Sequence, residues 1–350
     1  MRICVTVDPL IPVPPVLYGG IERAVDLLVR GLVRRGHDVQ LFAHPDSRTV
    51  GRLHPYGVPP HDSRWTRWRE LAQLGWGLTL AAGDVDLVHS FGRLAALAPI
   101  LPRRVPVVQS YQRAVPWAGV RRALRLARGS LTLTGCSASL FAPALASGEG
   151  AGTWHAVFNP VDTAVYDPVR SVGGDAPLVF LGRVEQIKGP HDAIAIAHRA
   201  GRRLIIAGPA PLAGDDADFF RQEVAPHIDG VQVTCTGAID DQAKNRLLGS
   251  AAALLMPVHW EEPFGIVMAE AMACGTPVIG YRRGSLPEVI RDGVNGFCCD
   301  DEEAAVRAVG RLAEIDRTAV RADCERRFGP DVIVDQYLSV YAGAIRKVRG

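Results

Sequence analysis

The chain has 350 residues, of which 48% are hydrophobic and 22% charged, the balance of an ordinary globular protein. Its formal net charge of +2 argues against wholesale nucleic-acid binding. The length exceeds a single common hydrophobic core and predicts two domains of roughly 150–180 residues. The seven cysteines include no C-x-x-C pair, which argues against a zinc site and indicates buried, reduced thiols.

Short apolar runs alternate with helical patterns along the whole chain, and this alternation predicts doubly wound parallel sheets. Strands are predicted at 2–8, 38–43, 85–90, 105–110, 131–136 and 154–158, and then at 178–182, 203–207, 231–235, 253–256 and 277–280. A passage rich in Pro, Gly and Asp between Asn159 and Pro177 has the composition of an interdomain linker. We therefore expect a first domain over residues 1–165 and a second over 175–330.

Two glycines, Gly19 and Gly20, stand between the first predicted strand and a helical pattern. Glycine at a strand-to-helix junction lets the backbone approach a ligand with no side chain in the way. Two later strands of the first half end near polar side chains, His89 in one case and Gln112 in the other. The glycine pair is a candidate for contact with a ligand.

In the second half, the strand predicted at 178–182 ends in Gly182 and Arg183, and Lys188 follows five residues after Arg183. Lysine is rare in this chain, with 3 residues against 36 arginines. Two cations at a strand-to-helix junction can carry the charge of a departing diphosphate without a metal.

The segment from Trp260 to Glu288 is the most informative part of the sequence. Pro263-Phe264-Gly265 predicts the start of a helix, and Cys274-Gly275-Thr276-Pro277 predicts its end. The backbone N–H groups of Gly265, Ile266 and Val267 then point out of the N-terminus of that helix. Such an end carries roughly half a positive charge and suits a phosphate.

Two carboxylates flank this predicted helix start. Glu262 precedes the helix and Glu270 lies within it, about 12 Å away along the axis. A helix end for a diphosphate, with hydroxyl-binding carboxylates on either side, is the pattern of a sugar-nucleotide site.

The Glu-x7-Glu spacing of Glu262 and Glu270, together with the preceding blocks, resembles the signature of the retaining glycosyltransferases of family four, whose fold is called GT-B. The resemblance covers nearly the whole chain and is strongest from Gly182 to Glu288. It implies an α/β protein with two Rossmann-like, doubly wound parallel-sheet domains facing across a cleft. The first would bind the acceptor and the second the nucleotide-sugar, with the last helix (331–350) packing back on the first domain.

The resemblance also assigns roles to residues of the second domain. Arg183 and Lys188, beside Gly182, would be catalytic and would bind the donor diphosphate. Glu262, also catalytic, would hold sugar hydroxyls, and Glu270 would hold the ribose hydroxyls. The remaining donor-binding residues would be Ile239, near the nucleobase, with Phe264, Gly265, Ile266 and Val267 at the helix start.

In the first domain, the resemblance places Gly19 and Gly20 against the donor phosphates and the acceptor. The family usually carries a histidine near the reacting sugar where this chain has Gln112. Glutamine can donate a hydrogen bond but cannot take a proton, so a general base is not expected at that position. His89 is the alternative for this role.

The expected activity is transfer of a hexose-like unit from a nucleotide-diphosphate sugar to an acceptor hydroxyl, with retention and without metal or cofactor. Asp84-Val85-Asp86 mimics the Asp-x-Asp of metal-dependent glycosyltransferases, but it opens a predicted strand in the first domain, away from the donor. No carboxylate is evidently placed as a nucleophile. By analogy with the family, we expect same-face substitution in which the leaving phosphate takes the acceptor proton.

The chain has no signal-peptide pattern and no apolar run near twenty residues, which predicts a cytoplasmic location. Basic segments around Trp65–Arg69 and Arg113–Arg128 suit an anionic acceptor or a membrane face. A soluble small-molecule or glycan acceptor is favoured over peripheral membrane contact. Three alternatives stay open, namely a phosphorylase or epimerase of the same architecture, a non-catalytic sugar-nucleotide-binding protein and a membrane-acting lipid glycosyltransferase.

Overall fold

The structure, a computed structural model, describes residues 1–16, 19–57 and 64–349. It divides into two compact units, unit 1 (Met1–Pro160 with Pro330–Gly350) and unit 2 (Val161–Gly329). Within the described ranges, no helix is both long enough and apolar enough to cross a membrane.

Unit 1 contains a seven-stranded parallel sheet with strand order β3-β2-β1-β4-β5-β6-β7. Its strands are β1 (Arg2–Thr6), β2 (Asp38–Ala43), β3 (Arg52–Pro55), β4 (Leu87–Ser90), β5 (Val107–Tyr111), β6 (Leu131–Gly135) and β7 (Trp154–Ala156). The helices between them are α1 (Gly20–Arg34), α2 (Arg64–Ala81), α3 (Trp117–Ala127) and α4 (Ala142–Ala146). Strands β4, β5 and β6 are buried throughout, which is why they form near-continuous apolar runs in the sequence.

Unit 2 contains a six-stranded parallel sheet with strand order β10-β9-β8-β11-β12-β13. Its strands are β8 (Leu178–Leu181), β9 (Leu204–Ala207), β10 (Val233–Gly237), β11 (Ala253–Met256), β12 (Val278–Tyr281) and β13 (Gly296–Cys299). Its helices are α5 (Pro190–Arg199), α6 (Asp215–Phe219), α7 (Asp241–Ser250), α8 (Ile266–Ala273), α9 (Leu286–Val289), α10 (Glu302–Gly310) and α11 (Arg317–Phe328). The final helix of the chain, α12 (Pro330–Arg349), belongs to unit 1.

The predicted class of two doubly wound parallel-sheet domains is confirmed. Every predicted strand is present with its ends within two residues of the prediction, and β3 and β13 are additional. In both sheets the strand order reverses once, between β1 and β4 and between β8 and β11. Such switch points, at the carboxyl ends of the strands, are where open α/β sheets bind ligands.

The units divide between Pro160 and Val161, so residues 161–165 belong to unit 2, not to the first domain as predicted. Backbone hydrogen bonding explains the difference, because the Val161 N–H donates to the Phe328 carbonyl at 2.9 Å. Arg321 then donates to the carbonyls of Thr163 and Tyr166, both at 2.8 Å. The predicted linker is therefore held by α11.

Helix α12 completes the core of unit 1 by packing on α1. Its buried side chains include Ile333, Val334 and Tyr341, which join the apolar face of α1 in one cluster. Gly31 on α1 allows the close approach, because a Cβ at that position would lie 2.5 Å from Val334 Cγ2.

We expect Gly31→Ala to lower the stability of the protein by about 1–2 kcal/mol, since overpacking a core costs about 1–3 kcal/mol and exceeds the helix propensity gained. The control is Gly343→Ala on α12, where an added Cβ would meet nothing within 4 Å. That substitution should raise the melting temperature. Thermal unfolding of both variants measures the difference, and equal shifts would contradict the packing assigned to Gly31.

Candidate active site

Polar side chains gather at the switch point of unit 2, where β8 and β11 end. Arg183 follows β8, and the segment 259–262 follows β11. Because these strands are parallel neighbours, the two segments lie at the same edge of the sheet. The His259 N–H donates to the Ile187 carbonyl at 2.8 Å, which ties the loop after β11 to the short 3-10 turn that carries Lys188.

Glu262 is 7% exposed, and its carboxylate is held through one oxygen. Oε2 accepts hydrogen bonds from Lys188 Nζ at 2.7 Å and from Trp260 Nε1 at 3.0 Å. The same Nζ lies 4.3 Å from the centroid of the Trp260 ring, a favourable place for a cation. Burying an unpaired carboxylate would be costly, so the lysine and the indole together stabilise the charge of Glu262.

The backbone of Glu262 is fixed by the loop after β12. The Gly284 N–H donates to Glu261 Oε2 at 2.7 Å, and the Ser285 N–H donates to the Glu262 carbonyl at 2.8 Å. A Cβ at Gly284 would lie 2.4 Å from both the nitrogen and the oxygen of Glu262, so only glycine fits this close approach. Glu262 is therefore positioned by its main chain as well as by its side chain.

Glu270 lies within α8, is 4% exposed, and is held in the same way as Glu262. Its Oε1 accepts from Lys244 Nζ at 2.6 Å and from the Tyr166 hydroxyl at 2.7 Å. Lys244 lies 5.6 Å from the centroid of the Tyr166 ring. The sequence reasoning missed both partners, although the rarity of lysine that marked Lys188 applies equally to Lys244.

Helix α8 begins as predicted, with Gly265 as its N-cap residue and no side chain bonded to the cap. The backbone N–H groups of Gly265, Ile266 and Val267 have no hydrogen-bond acceptor in the described part of the chain, and all three residues are partly exposed. Unsatisfied donors at a helix N-terminus can bind an anion. The prediction for Phe264 needs correction, because its side chain is 2% exposed and packs edge-to-face on Phe328, leaving only its main chain for a ligand.

The strand ends next to β8 are linked through glycine backbones. The Gly208 N–H, after β9, donates to the carbonyl of Gly237, the last residue of β10, at 2.8 Å. A Cβ on Gly208, whose φ is +145°, would lie 1.8 Å from the Gly182 carbonyl oxygen.

Arg183 is 48% exposed along its side chain and pairs with Glu185. Ile239, predicted near a nucleobase, is partly exposed in the loop after β10.

A cavity of about 560 Å³ opens at the switch point of unit 1. It is lined mainly by apolar side chains, including Phe91. Its polar lining includes Asp8, Gln112 and three arginines: Arg93, Arg113 and Arg122. Gln112 is fixed by Asn159, whose Nδ2 donates to its Oε1 at 2.8 Å. Burial raises the pKa of Asp8, although the nearby guanidinium of Arg93 opposes this. The sequence reasoning missed both Asp8, the last residue of the strand predicted at 2–8, and Arg93, which follows the strand predicted at 85–90.

The glycine loop lies in the same unit, where α1 begins at Gly20 with Gly19 as its N-cap residue. Tyr18, which precedes them, falls outside the described residues. Ile21 lines the cavity, and Glu22 is 7% exposed, with its pKa raised by burial.

The prediction that His89 contacts substrate is wrong. The ring is fully buried, with Nδ1 2.6 Å from the Tyr341 hydroxyl and Nε2 2.7 Å from the Ser110 hydroxyl. Burial lowers the pKa of His89 to about 3, so it remains neutral at ordinary pH. His89 is a structural residue that binds β4 and β5 to α12.

A further polar cluster in unit 2, which the sequence did not predict, contains His191, Asp192 and His259. Their nitrogen and oxygen atoms lie within 4.8 Å of one another, and these residue types can ligate a metal. His259 Nε2 lies 2.5 Å from Asp192 Oδ2, and this hydrogen bond accounts for the arrangement without an ion.

Comparisons with known proteins agree over most of the chain. A family model described as "Glycosyl transferases group 1" matches residues 167–327, and one described as "Glycosyltransferase Family 4" matches residues 18–144. A glycogen synthase of Mycobacterium tuberculosis is 30% identical over 356 residues, which cover 85% of this chain and 83% of that protein.

Solved structures are similar over nearly the full length. AviGT4, a glycosyltransferase involved in avilamycin A biosynthesis, is 26% identical with a TM-score of 0.74, covering 99% of this chain and 98% of the other. HepE of Anabaena, solved in complex with UDP-glucose, shares the fold at 18% identity and a TM-score of 0.73, covering 98% of this chain and 100% of the other. Its two parallel-sheet units and these matches together show that the chain belongs to the family-four glycosyltransferases of the GT-B fold.

Proposed function

We propose that this glycosyltransferase retains the anomeric configuration of its donor, a nucleoside-diphosphate sugar, and works without a metal. The observation that carries the proposal is the edge of unit 2 at Glu262. There the buried carboxylate of Glu262 is bonded to Lys188, which comes 74 residues earlier in the chain, and it stands just before the free N–H groups at the start of α8. This set can bind a sugar and a diphosphate at neighbouring positions.

The diphosphate is bound by cations and backbone donors. Arg183 supplies one positive charge, and the start of α8 supplies N–H groups together with the positive end of the helix dipole. Lys188 has three N–H donors, so its ammonium can keep its bond to Glu262 and still donate to a phosphate oxygen. These charges act most strongly as the bond to the leaving diphosphate breaks, which is where stabilisation accelerates the reaction.

The transfer itself needs no protein nucleophile. The bond between the anomeric carbon and the phosphate oxygen breaks, and the acceptor oxygen bonds to the same face of that carbon. The acceptor proton passes to the departing phosphate oxygen, so the products are a glycoside and a nucleoside diphosphate. Glu262 binds the sugar hydroxyls through its remaining oxygen, because Oε2 is already engaged by Lys188 and Trp260. Glu270 binds the ribose hydroxyls in the same manner.

The acceptor binds in the cavity of unit 1. Its lining is mainly apolar, and its polar groups include Asp8, Gln112 and three arginines, namely Arg93, Arg113 and Arg122. An acceptor that combines an apolar part with a hydroxyl beside these groups fits this lining best. Gln112 donates a hydrogen bond to the acceptor but takes no proton from it.

The direct test is the stereochemistry of the product. Nucleoside diphosphates and their sugars are first screened by thermal shift, starting with UDP and UDP-glucose, because binding to the folded state raises the melting temperature. Turnover of the donor found is then followed by NMR of the anomeric proton. We expect the product to keep the anomeric configuration of the donor, and Glu262→Gln to lower kcat at least 100-fold. An inverted product would exclude the retaining assignment, and binding without turnover or donor hydrolysis would indicate a non-catalytic protein.

Metal independence has a separate test. Both carboxylates of the Asp84-Val85-Asp86 segment already have partners. Asp84 lies 3.8 Å from the Arg2 guanidinium, and Asp86 accepts from the backbone N–H of Arg2 at 2.8 Å and from the Arg349 guanidinium at 3.1 Å. We therefore expect the initial rate to stay within twofold when excess EDTA is added. A loss of activity that returns only with manganese or magnesium would contradict a diphosphate site made of cations and backbone donors.

A third prediction concerns the support of Glu270. Tyr166→Phe removes one of two hydrogen bonds to Oε1 and leaves Lys244 in place. We expect KM for the donor to rise about 3- to 10-fold with little change in kcat, because ribose binding acts alike in ground and transition states. Tyr281→Phe is the matched control, since the Tyr281 hydroxyl has no hydrogen bond in the described residues. An unchanged KM in Tyr166→Phe would remove Tyr166 from the donor site.

A further inference from the structure

Helix α2 of unit 1 is apolar on both of its faces. Its inner face buries Leu74, which is 2% exposed, and Leu78, which is fully buried. Its outer face carries four large apolar side chains that are mostly in solvent, with exposed fractions of 85%, 66%, 68% and 65%: Trp65, Trp68, Trp76 and Leu80. We call these four residues the Trp stripe.

The Trp stripe is continuous. At about 100° of rotation per residue, its four positions fall within a sector of about 120°. From residue 65 to residue 80 the stripe is about 22 Å long at 1.5 Å per residue. Single exposed hydrophobic residues are normal on a soluble protein, but an aligned set of indoles on one helix marks a surface that binds something.

The charges on α2 separate in the same way. Two exposed guanidinium groups lie beside the Trp stripe: Arg69, which falls within its sector, and Arg103, which donates to Thr79 in the same sector, whereas Glu70, the one acidic residue in the sequence of this helix, is 2% exposed. Glu70 faces inward, with Oε2 3.8 Å from Arg93 Nη1. The outer side of the helix therefore combines indoles with guanidinium groups and shows no carboxylate. Indoles favour the boundary between water and lipid, and guanidinium groups favour anionic headgroups.

The position of α2 connects this surface with the acceptor cavity. The 3-10 turns 94–97 and 101–103 lie behind the helix, and Arg103 Nη1 donates to Thr79 Oγ1 at 3.0 Å. Leu94 and Leu101 of these turns line the cavity on their other side. These two turns lie between α2 and the cavity, so a lipid surface bound to the outer side of α2 would be close to the cavity lining.

We infer that α2 is an interfacial helix that binds unit 1 to an anionic lipid surface. The Trp stripe inserts at the level of the headgroups, and Arg69 and Arg103 interact with lipid phosphates. Because the basic run at Trp65–Arg69 is short, the sequence alone favoured a soluble acceptor. The outward alignment of its tryptophans with Trp76 and Leu80 points instead to membrane contact. The inference concerns attachment of the protein and does not depend on which acceptor is used.

The test is sedimentation of the full chain with vesicles of phosphatidylcholine alone or mixed with phosphatidylglycerol. The wild type should pellet with the phosphatidylglycerol vesicles, and less so at high salt because screening weakens the arginine contribution. W65S/W68S/W76S should reduce the vesicle-bound fraction at least tenfold, and R69E/R103E should remove the preference for anionic lipid. Brominated lipids should quench the tryptophan fluorescence of the wild type but not that of the triple variant.

The matched control is Leu212→Ser in unit 2, because Leu212 is 97% exposed and lies outside α2. It should bind vesicles like the wild type. A melting temperature and a nucleoside-diphosphate thermal shift equal to those of the wild type show that the triple variant is folded with its donor site unchanged.

Two kinds of result would overturn the inference. One concerns vesicle binding: the wild type stays in the supernatant with anionic vesicles, or the triple variant binds them as well as the wild type does. The other is a dimer in solution that the triple variant dissociates, without vesicle binding by either protein, which would assign the Trp stripe to contact between copies of the chain.

Discussion

Two buried carboxylates in unit 2 determine which side chains must surround them in the candidate site. Glu262 and Glu270 are 7% and 4% exposed, and a buried charge is stable only when it is paired and hydrogen-bonded. Each has a lysine and an aromatic donor on one oxygen, and in each case the ammonium also lies over the ring of that donor. The second oxygen of each carboxylate accepts no hydrogen bond from the described residues, so each carboxylate is oriented through one oxygen only.

Sheet topology decides which residues can take part in such an arrangement. Because all strands within each sheet are parallel, their carboxyl ends share one edge, and the reversal of strand order opens a crevice there. In unit 2, Arg183, Lys188 and Glu262 lie at this edge of the sheet, although Lys188 and Glu262 are more than seventy residues apart in the chain. In unit 1 the same rule places Asp8 and Gln112 around one cavity.

Local patterns predicted much of the molecule. Strands buried on both sides are apolar without interruption, so their positions were recognisable, whereas β3 was missed because its ends are exposed at the sheet edge. Helix α8 was predicted with its start because Pro263 and Gly265 act within a few residues of the first turn. The spacing of Glu262 and Glu270 was visible for the same local reason.

What the sequence could not predict depends on partners far away in the chain. His89 was taken for a substrate ligand, but Tyr341, 252 residues later, covers it. Tyr166 reaches Glu270 across 104 residues, and neither its position nor its type distinguishes it beforehand from other aromatic residues. The outward alignment of the tryptophans on α2 needed the helix to be placed on its core before the exposed side could be identified.

The return of α12 to unit 1 also sets the order in which the chain can fold during synthesis. Unit 2 is continuous from Val161 to Gly329, so all of its strands have been made before α12 is complete. Unit 1 starts first on the ribosome, and α1 can pack on β1 and β2 early, yet the part of its apolar surface that α12 covers stays exposed until Tyr341 and Ala344 have been translated. Domains usually mature in the order of their synthesis. Here unit 1 is complete only when α12 has been made, and a fragment ending at Pro160 would expose to water the side of α1 that α12 covers.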